Sequence, residues 1–287
     1  VDSSGRIAEA GSGDPVSDFA DIEEELNMWY HKILEGNRDK LKKITESDND
    51  PVNALTELYQ GLGVKKNHVK EALKITKLEE KDIENYDIHD SKKFSTELRR
   101  ISKPTLIVAN KIDVKGAGKN FQRLRERYND MIVVPASADS ELSLRRAEQK
   151  ELIKYSPGSE QFDILKANDL NQKQRDALDF IKSDIMGEFM HTGVQFAINV
   201  TVFKLLKMNS IYPVAIPEKL SDKNGRVLPD LILLKDGSTI VDLAKEIHSD
   251  LIKGLLYAKD IRYNLRVPTN YQLRDRDVIS LVSASKK

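Results

Sequence analysis

The sequence predicts an α/β chain: a parallel-sheet domain interrupted by a helical insertion and followed by a small β-grasp module. Three observations predict it. Two short apolar, β-branched runs, Pro104-Thr105-Leu106-Ile107-Val108-Ala109 and Met131-Ile132-Val133-Val134-Pro135, each break into a polar loop, as buried parallel strands do. Helix-periodic sequence fills residues 18–99, ahead of the first run. Strand-like runs around one short helix fill the last 78 residues. The expected domains are therefore 1–17 with 100–209 for the discontinuous sheet domain, 18–99 for the insertion and 210–287 for the last module. A chain of 287 residues has ample material for two or three such cores.

The elements follow in order. Val1-Asp2-Ser3-Ser4-Gly5 has the look of a strand tail, and residues 11–15 form a flexible lead-in. Asp18 is the expected cap of a helix carrying Phe19, Ile22, Leu26, Trp29 and Ile33, which breaks near Gly36. Asp50 as N-cap and Pro51 in the first turn begin a second helix with Val52, Leu55 and Leu58 on one face. Val69 with Leu73, then Phe94, Leu98 and Ile101, predict two more. Beyond the second strand, Tyr155-Ser156-Pro157-Gly158-Ser159 marks a loop. Asn168 is the expected cap of a segment bearing Leu178, Ile181 and Ile185, and Val194, Ile198, Val202 and Leu205 recur on another. In the last module, residues 211–216 and 231–234 are the expected first strands. Asp236-Gly237 is a turn, and Thr239 with Asp242 makes a capping box for a helix bearing Leu243 and Ile247. Strands are expected at 255–257, 265–267 and 278–282, with a core of Leu231, Leu233, Leu243, Ile247, Val278 and Leu281.

Composition narrows the function. Lys plus Arg and Asp plus Glu both number 46, so no bulk field draws the chain to nucleic acid or membrane. The absence of Cys excludes disulfides, thiolate catalysis and Cys-based zinc sites. No apolar run approaches the roughly 20 residues of a membrane span, so a cytoplasmic protein without membrane contact is expected. The five histidines, at 31, 68, 89, 191 and 248, form no cluster and are expected on surfaces or in packing. Lys40, Lys42, Lys43, Lys65 and Lys66 in the insertion offer RNA contacts, yet the acidic residues among them favour a solvated face. Arg262, Arg266, Arg274 and Arg276 likewise offer a basic RNA-facing edge, against which Asp260, Asp275 and Asp277 favour local ion pairs.

The chemistry concentrates at the ends of the two strand runs. The first leads directly into Asn110-Lys111-Ile112-Asp113, the second into Ala136-Ser137-Ala138. A carboxylate at Asp113 can accept two hydrogen bonds from the N1–H and 2-amino edge of guanine, an edge that adenine lacks. Asn110 can tie the loop together and reach N7, while the Lys111 stem covers the base plane with its charge in water. In the P-loop GTPases that this arrangement resembles, the next strand ends in a Ser-Ala turn, here Ser137-Ala138, whose backbone N–H donates to guanine O6. Both loops fall at the carboxyl edge of a parallel sheet, where α/β folds bind ligands. A strand ending in Asn-Lys-x-Asp resembles the loop with which P-loop GTPases read guanine. The Gly-x-x-x-x-Gly-Lys-Ser/Thr that wraps phosphates does not occur in these residues; Gly116-Ala117-Gly118-Lys119-Asn120 has the wrong spacing and lacks the hydroxyl. The loose pattern Asp-x-x-Gly, met at Asp2, Asp184 and Asp222 among other places, never follows such a loop and carries no weight.

The wider pattern is specific. Val1-Asp2-Ser3-Ser4-Gly5, Gly13-Asp14-Pro15-Val16, the acidic stretch Asp21-Ile22-Glu23-Glu24-Glu25-Leu26, Pro135-Ala136-Ser137-Ala138, the helix start Thr192-Gly193-Val194 and Asp236-Gly237-Ser238-Thr239 together resemble the Obg-like P-loop GTPases of the YchF subgroup, archaeal in type. Their C-terminal module is a TGS domain, a β-grasp, ubiquitin-like fold. The resemblance implies a GTP-binding protein, with GTP or GDP held together with Mg2+ in the full-length parent, slow hydrolysis, and a translation role through ribosome or RNA binding by the TGS domain and the insertion. It makes Asn110, Lys111, Asp113, Ser137 and Ala138 the guanine-binding residues, with no catalytic residue in this chain. Some members carry an altered loop and prefer ATP; the intact Asn110, Lys111 and Asp113 favour guanine. Because the chain opens without Met, the expectation is the C-terminal part of a larger protein, inactive by itself as a hydrolase. Two other readings are a non-catalytic RNA or ribosome interaction module and a relative of the developmentally regulated GTPases, the latter opposed by the long insertion before Asn110.

Overall fold

The structure, a computed structural model, describes residues 13–284 except Asn49 and Pro229. The strand tail expected at residues 1–5 lies outside them. The chain divides into two compact units, Val1–Phe196 and Ala197–Lys287.

Unit 1 begins with five helices, α1 (Pro15–Glu35), α2 (Arg38–Asp48), α3 (Pro51–Leu58), α4 (Lys66–Thr76) and α5 (Ile88–Ser102). Asp14, not Asp18, caps α1, accepting from the N–H of Val16 at 3.2 Å. Pro15 fixes the start, because its ring is preset for the first helical position. Asp18 falls in the first turn, where its charge suits the helix dipole. Asp50 caps α3 as expected, accepting from Val52 and Asn53. Helix α2 occupies the stretch after Gly36 where the periodicity showed only a break. The buried face of α1 is also turned from the expected stripe: Tyr30, His31 and Leu34 are inside, whereas Ile22 and Trp29 are 54% and 49% exposed. Tyr30 stacks on Tyr59, whose hydroxyl donates to Tyr30 O at 2.8 Å, and Leu55, Val69, Phe94 and Leu98 complete this core. Lys40 pairs with Glu57 and Lys42 with Glu84, an ion-paired outer face.

The helices are tied to the sheet by a buried arginine. Arg99 of α5 donates to the Glu23 carboxylate, to Asn27 Oδ1 and to Thr105 Oγ1, just before strand β1 (Ile107–Ala109). Helix α6 (Ala117–Arg127) then crosses to β2 (Val133–Pro135), which lies parallel to β1 with Ile107 opposite Val133 and Ala109 opposite Pro135. Helix α7 (Ala138–Gln149) follows. A short antiparallel pair that periodicity missed, β3 (Ile153–Lys154) with β4 (Asp163–Ile164), encloses the expected loop at 155–159. Helix α8 (Gln172–Phe180) is capped by Asn171 rather than Asn168. Asn171 and Gln174 form a reciprocal capping box, two bonds of 3.0 Å, while Asn168 sits in a 3-10 turn. A π-helical stretch Ile181–Met186, then α9 (Gly187–Phe189) and α10 (Val194–Asn199), follow.

One buried carboxylate locks the β2–α7 junction. Glu141, 4% exposed, accepts from Thr192 Oγ1 at 2.5 Å, Tyr155 OH at 2.7 Å and Arg145 Nε at 2.6 Å. Thr192 O in turn accepts from the N–H of Ser137 at 2.8 Å. Gly193 has φ +86°, and a Cβ there would lie 2.0 Å from Pro135 O, so only glycine lets this segment approach so closely. Burial pushes the Glu141 carboxyl up, but the hydrogen bonds from Thr192, Arg145 and Tyr155 outweigh it and hold it below the ordinary carboxylate range. Burial and the neighbouring carboxylate push Tyr155 up to about 12.

Unit 2 holds a five-stranded sheet, β5 (Met208–Pro213), β6 (Ile232–Lys235), β7 (Leu255–Asp260), β8 (Leu265–Val267) and β9 (Asp277–Ser283), in the order β6-β5-β9-β7-β8. β5 and β9 are parallel and the other neighbours antiparallel. Helix α11 (Ile240–Ile247), with the expected Thr239–Asp242 capping box, covers one face, and a short α12 (Ser249–Gly254) follows it. This is the β-grasp arrangement. Its core is Ile211, Leu234, Ile240, Leu243, Ala258, Val267, Leu273 and Ile279. Of the expected core, Leu243 and Val278 are buried and Leu281 partly so, but Leu231, Leu233 and Ile247 are 49%, 37% and 39% exposed. In β6 the inward residues are Ile232 and Leu234; a one-residue error of phase moves every side chain to the opposite face. Ile198 is also outward, with Ala197 and Val200 inside, and from Val200 to Leu205 the helix is π-helical. Arg262 pairs with Asp277 and Asp260, and Arg276 with Asp275, so these arginines are engaged locally.

Two expected outcomes follow from these cores. Leu243→Ala should cost about 2–5 kcal/mol in urea unfolding of the full chain followed by circular dichroism, and Leu233→Ala under about 1 kcal/mol. Equal losses would refute the β6 register. Glu141→Gln should lower unit 1 stability at pH 7 by about 2 kcal/mol, read from the fluorescence of Trp29, the chain's one tryptophan. A carboxyl held low in the fold stabilises above its unfolded pKa, and that contribution disappears as pH falls through the folded value. The difference between the two proteins should therefore shrink below about pH 4.5. A difference unchanged by pH would assign the loss to shape rather than charge.

Candidate functional site

The two loops after β1 and β2 meet because backbone bonds continue past the strand ends. Ala136 N donates to Ala109 O at 3.0 Å, and Ile112 N to Ala136 O at 3.1 Å. Asn110 N turns back to Val108 O at 2.9 Å, which forces a sharp bend. Lys111 takes φ 63°, a left-handed conformation that costs a non-glycine residue of order 1 kcal/mol. Burial of the next side chain offsets it: Ile112 packs with Phe121 and Ile185. Gly116, at φ 89°, then starts α6. On the facing loop, Ser137 is the N-cap of α7, its Oγ accepting from Ser140 N at 3.2 Å and lying 2.8 Å from Ser140 Oγ.

These constraints bring Asn110, Lys111, Asp113 and Ala138 to one cavity of about 440 Å³, completed by Val114, Asp139 and Leu142. Asn110 Oδ1 accepts from the N–H of Ala138 at 3.1 Å and so joins the loops directly. Asp113 Oδ1 is buried and has no hydrogen-bond partner. A buried, partnerless carboxylate oxygen is costly and marks a place where a donor belongs. Ser137 does not line the cavity; it is wholly buried, and its N–H and hydroxyl hold the turn in place. Val114 and Leu142, 53% and 43% exposed, give the cavity apolar walls, and Asp139 adds a second carboxylate. Sequence reasoning missed all three, though Leu142 stands four residues beyond Ala138 and therefore on the same face of α7. Such a cavity can hold a planar ring between aliphatic groups and satisfy a donor pair at one edge.

The histidines of the described residues are placed in caps and packing. His68 and His248 accept from backbone N–H groups at helix starts, His191 stacks on Phe196, and His31 is buried. Among the described residues no group of three or more His, Asp or Glu is placed to hold a metal ion. No helix there is long and apolar enough to cross a membrane.

Comparison with known proteins identifies the family. Residues 108–215, which contain both loops, match the family described as Obg-like GTPase YGR210-like, G4 motif-containing domain, and residues 221–283 match the TGS domain. The GTP-binding protein MJ1332 of Methanocaldococcus jannaschii is 39% identical over the whole chain, which spans 72% of that relative. The GTP-binding protein C428.15 of Schizosaccharomyces pombe is 27% identical over 79% of the chain and 57% of its own length. The crystal structure of a GTP-binding protein from Pyrococcus horikoshii OT3 superposes with a TM-score of 0.77 at 36% identity, covering 94% of this chain and 72% of that one. With two paired loops at the end of a parallel sheet, a β-grasp unit and a full-length match at this identity, the chain belongs to the Obg-like family of GTP-binding proteins and carries a TGS domain.

Proposed function

We propose that this chain is the guanine-recognition and partner-binding portion of an Obg-like GTPase acting in translation. The buried, partnerless Oδ1 of Asp113 is the observation that carries the reading. In it, Asp113 accepts from the N1–H and 2-amino group of guanine, the Ala138 N–H donates to O6, and Asn110 reaches N7. The Lys111 stem covers one face of the base. Val114 and Leu142 shield it from water. Ser137 acts through the turn. The TGS domain, taken as residues 210–287, and the helical insertion, taken as 18–99, are the surfaces for ribosome or RNA.

Phosphoryl transfer needs a phosphate-wrapping loop, its lysine and Mg2+. These 287 residues contain no Gly-x-x-x-x-Gly-Lys-Ser/Thr, so that chemistry belongs in this proposal to residues outside them. Base contacts alone leave nucleotide binding weak.

Asp113→Asn should invert the base preference. The carboxamide can donate to the 2-oxo group of xanthine and no longer accepts both guanine donors. In competition binding to the chain, GDP should lose at least about tenfold to XDP relative to the unaltered protein. If ADP competes as well as GDP, or the substitution leaves the order unchanged, guanine recognition by this loop is wrong. The purified chain should also turn over neither GTP nor ATP with Mg2+ present. Hydrolysis that co-purifies with the protein through successive columns and is abolished by Asp113→Ala would overturn the division of labour.

A further inference from the structure

The five-stranded sheet of unit 2 ends in two edge strands, β8 and β6, and they differ in kind. β8 carries Arg266 at its centre and runs into Pro268, two devices that blunt an edge against further pairing. β6 has its one charge, Lys235, at its end and otherwise belongs to the run Leu231-Ile232-Leu233-Leu234, which holds no charge, proline or glycine. Leu231 and Leu233 are 49% and 37% exposed, whereas Leu234 faces the core.

The direction of the β6 backbone groups follows from β5. Asp236 N donates to Lys207 O, so by the period of two Leu234 exchanges its bonds with Asn209 and Ile232 with Ile211. Ser210, opposite Leu233, turns both its groups away from β6. Its N–H donates to Asp275 Oδ1 and its carbonyl accepts from Arg276 N, each at 2.8 Å. The N–H and C=O of Leu233 therefore point out along the open edge, and among the described residues nothing bonds them.

We propose that this edge receives an extended segment of a partner protein as an added antiparallel strand. A main-chain donor and acceptor side by side are matched by another extended backbone, which a helix does not present. Apolar residues at alternate positions of the segment lie against Leu231 and Leu233 on the outer face. Asp230 and Lys235 bracket the run, so the complementary segment opens acidic, opposite Lys235, and closes basic, opposite Asp230. A second copy of β6 lacks that match. In a symmetric antiparallel pair, opposed residues share a face and differ by an even number, which never sets Asp230 against Lys235 of the other copy. The inference stands apart from guanine recognition and from RNA contact, since neither the base cavity nor an arginine takes part.

The test uses the full chain and a fluorescent peptide containing Glu-Thr-Val-Thr-Val-Arg. In the proposed register its valines lie opposite Leu233 and Leu231, with their N–H groups toward β6 and those of the threonines toward water. The peptide should bind in anisotropy titrations. N-methylation of the valines should weaken binding by about tenfold or more, and N-methylation of the threonines should leave it unchanged. Leu233→Lys should weaken it as much, while Leu265→Lys, at a 58% exposed position on β8, should not; unchanged circular dichroism confirms both folds. In hydrogen exchange followed by NMR, the Leu233 amide should become protected on binding, while the Leu234 amide, already bonded to β5, changes little. A peptide that fails to bind, equal losses from both methylations, or binding untouched by Leu233→Lys overturns the proposal. Sedimentation that shows a dimer of the free chain, dissociated by Leu233→Lys, overturns it in favour of a second copy at this edge.

Discussion

Two backbone hydrogen bonds, from Ala136 N to Ala109 O and from Ile112 N to Ala136 O, carry the pairing of β1 and β2 beyond the strands and into the loops. The strands themselves are three residues each, too short to be stable as an isolated ladder. Their pairing holds because each side is backed: Ile112, Phe121 and Ile185 pack beneath the first loop, and Ser137 is fixed by its own helix and by Thr192 O. With that pairing set, the bend at Asn110, the left-handed Lys111 and the buried Oδ1 of Asp113 follow. Loosening the pairing would separate the two halves of the cavity before it altered any residue in it.

Buried charges reinforce the same arrangement from opposite ends. Arg99 ties α1 and α5 to the approach of β1, and Glu141 ties α7 to Tyr155 and Thr192 beyond β2. Each has several partners, as a charge taken from water must. Removing one partner leaves an uncompensated charge, a loss of about 3–5 kcal/mol in buried pairs, whereas exposed pairs such as Lys40–Glu57 contribute about 1 kcal/mol or less. The insertion is therefore joined to the sheet domain through Arg99 and Thr105, and again where Phe19 packs edge-on against Tyr128 after α6.

Much of this was legible from the residues. The two apolar runs, the Asn-Lys-x-Asp, the Ser-Ala turn and the strand–helix–strand order of the last module all reflect local rules that the fold keeps. The errors share a cause as well. Asp18 and Asn168 have the right chemistry for caps, but Pro15 and the Asn171–Gln174 pair fix the helix starts elsewhere. In β6, four consecutive apolar residues, Leu231 to Leu234, carry no alternation, so only the partner strand decides which pair faces α11. The π-helical stretches shift the phase of a helix without leaving a compositional mark. The i, i+4 spacing from Ala138 marks Leu142 as its neighbour on α7, but the meeting of α7 with the loop after β1 is set by the β1–β2 pairing, which no rule within one segment encodes.

The hydrogen bond between Asn110 Oδ1 and Ala138 N bears on where base selectivity would come from. That N–H has one proton, and in the proposed reading guanine O6 takes it in place of Asn110. Such an exchange trades one amide bond for another of similar strength, so its net contribution is small, about 1 kcal/mol or less. Asp113 is different. Its Oδ1 has no partner to give up, so each donor that reaches it relieves a buried oxygen rather than replacing an existing bond. Adenine, lacking the donor pair at that edge, would leave the carboxylate as it is and add an acceptor, N1, opposite a negative charge. In the proposed reading, discrimination between the purines would thus rest on the carboxylate, while Asn110 and Ala138 would hold the geometry in which that carboxylate meets the base.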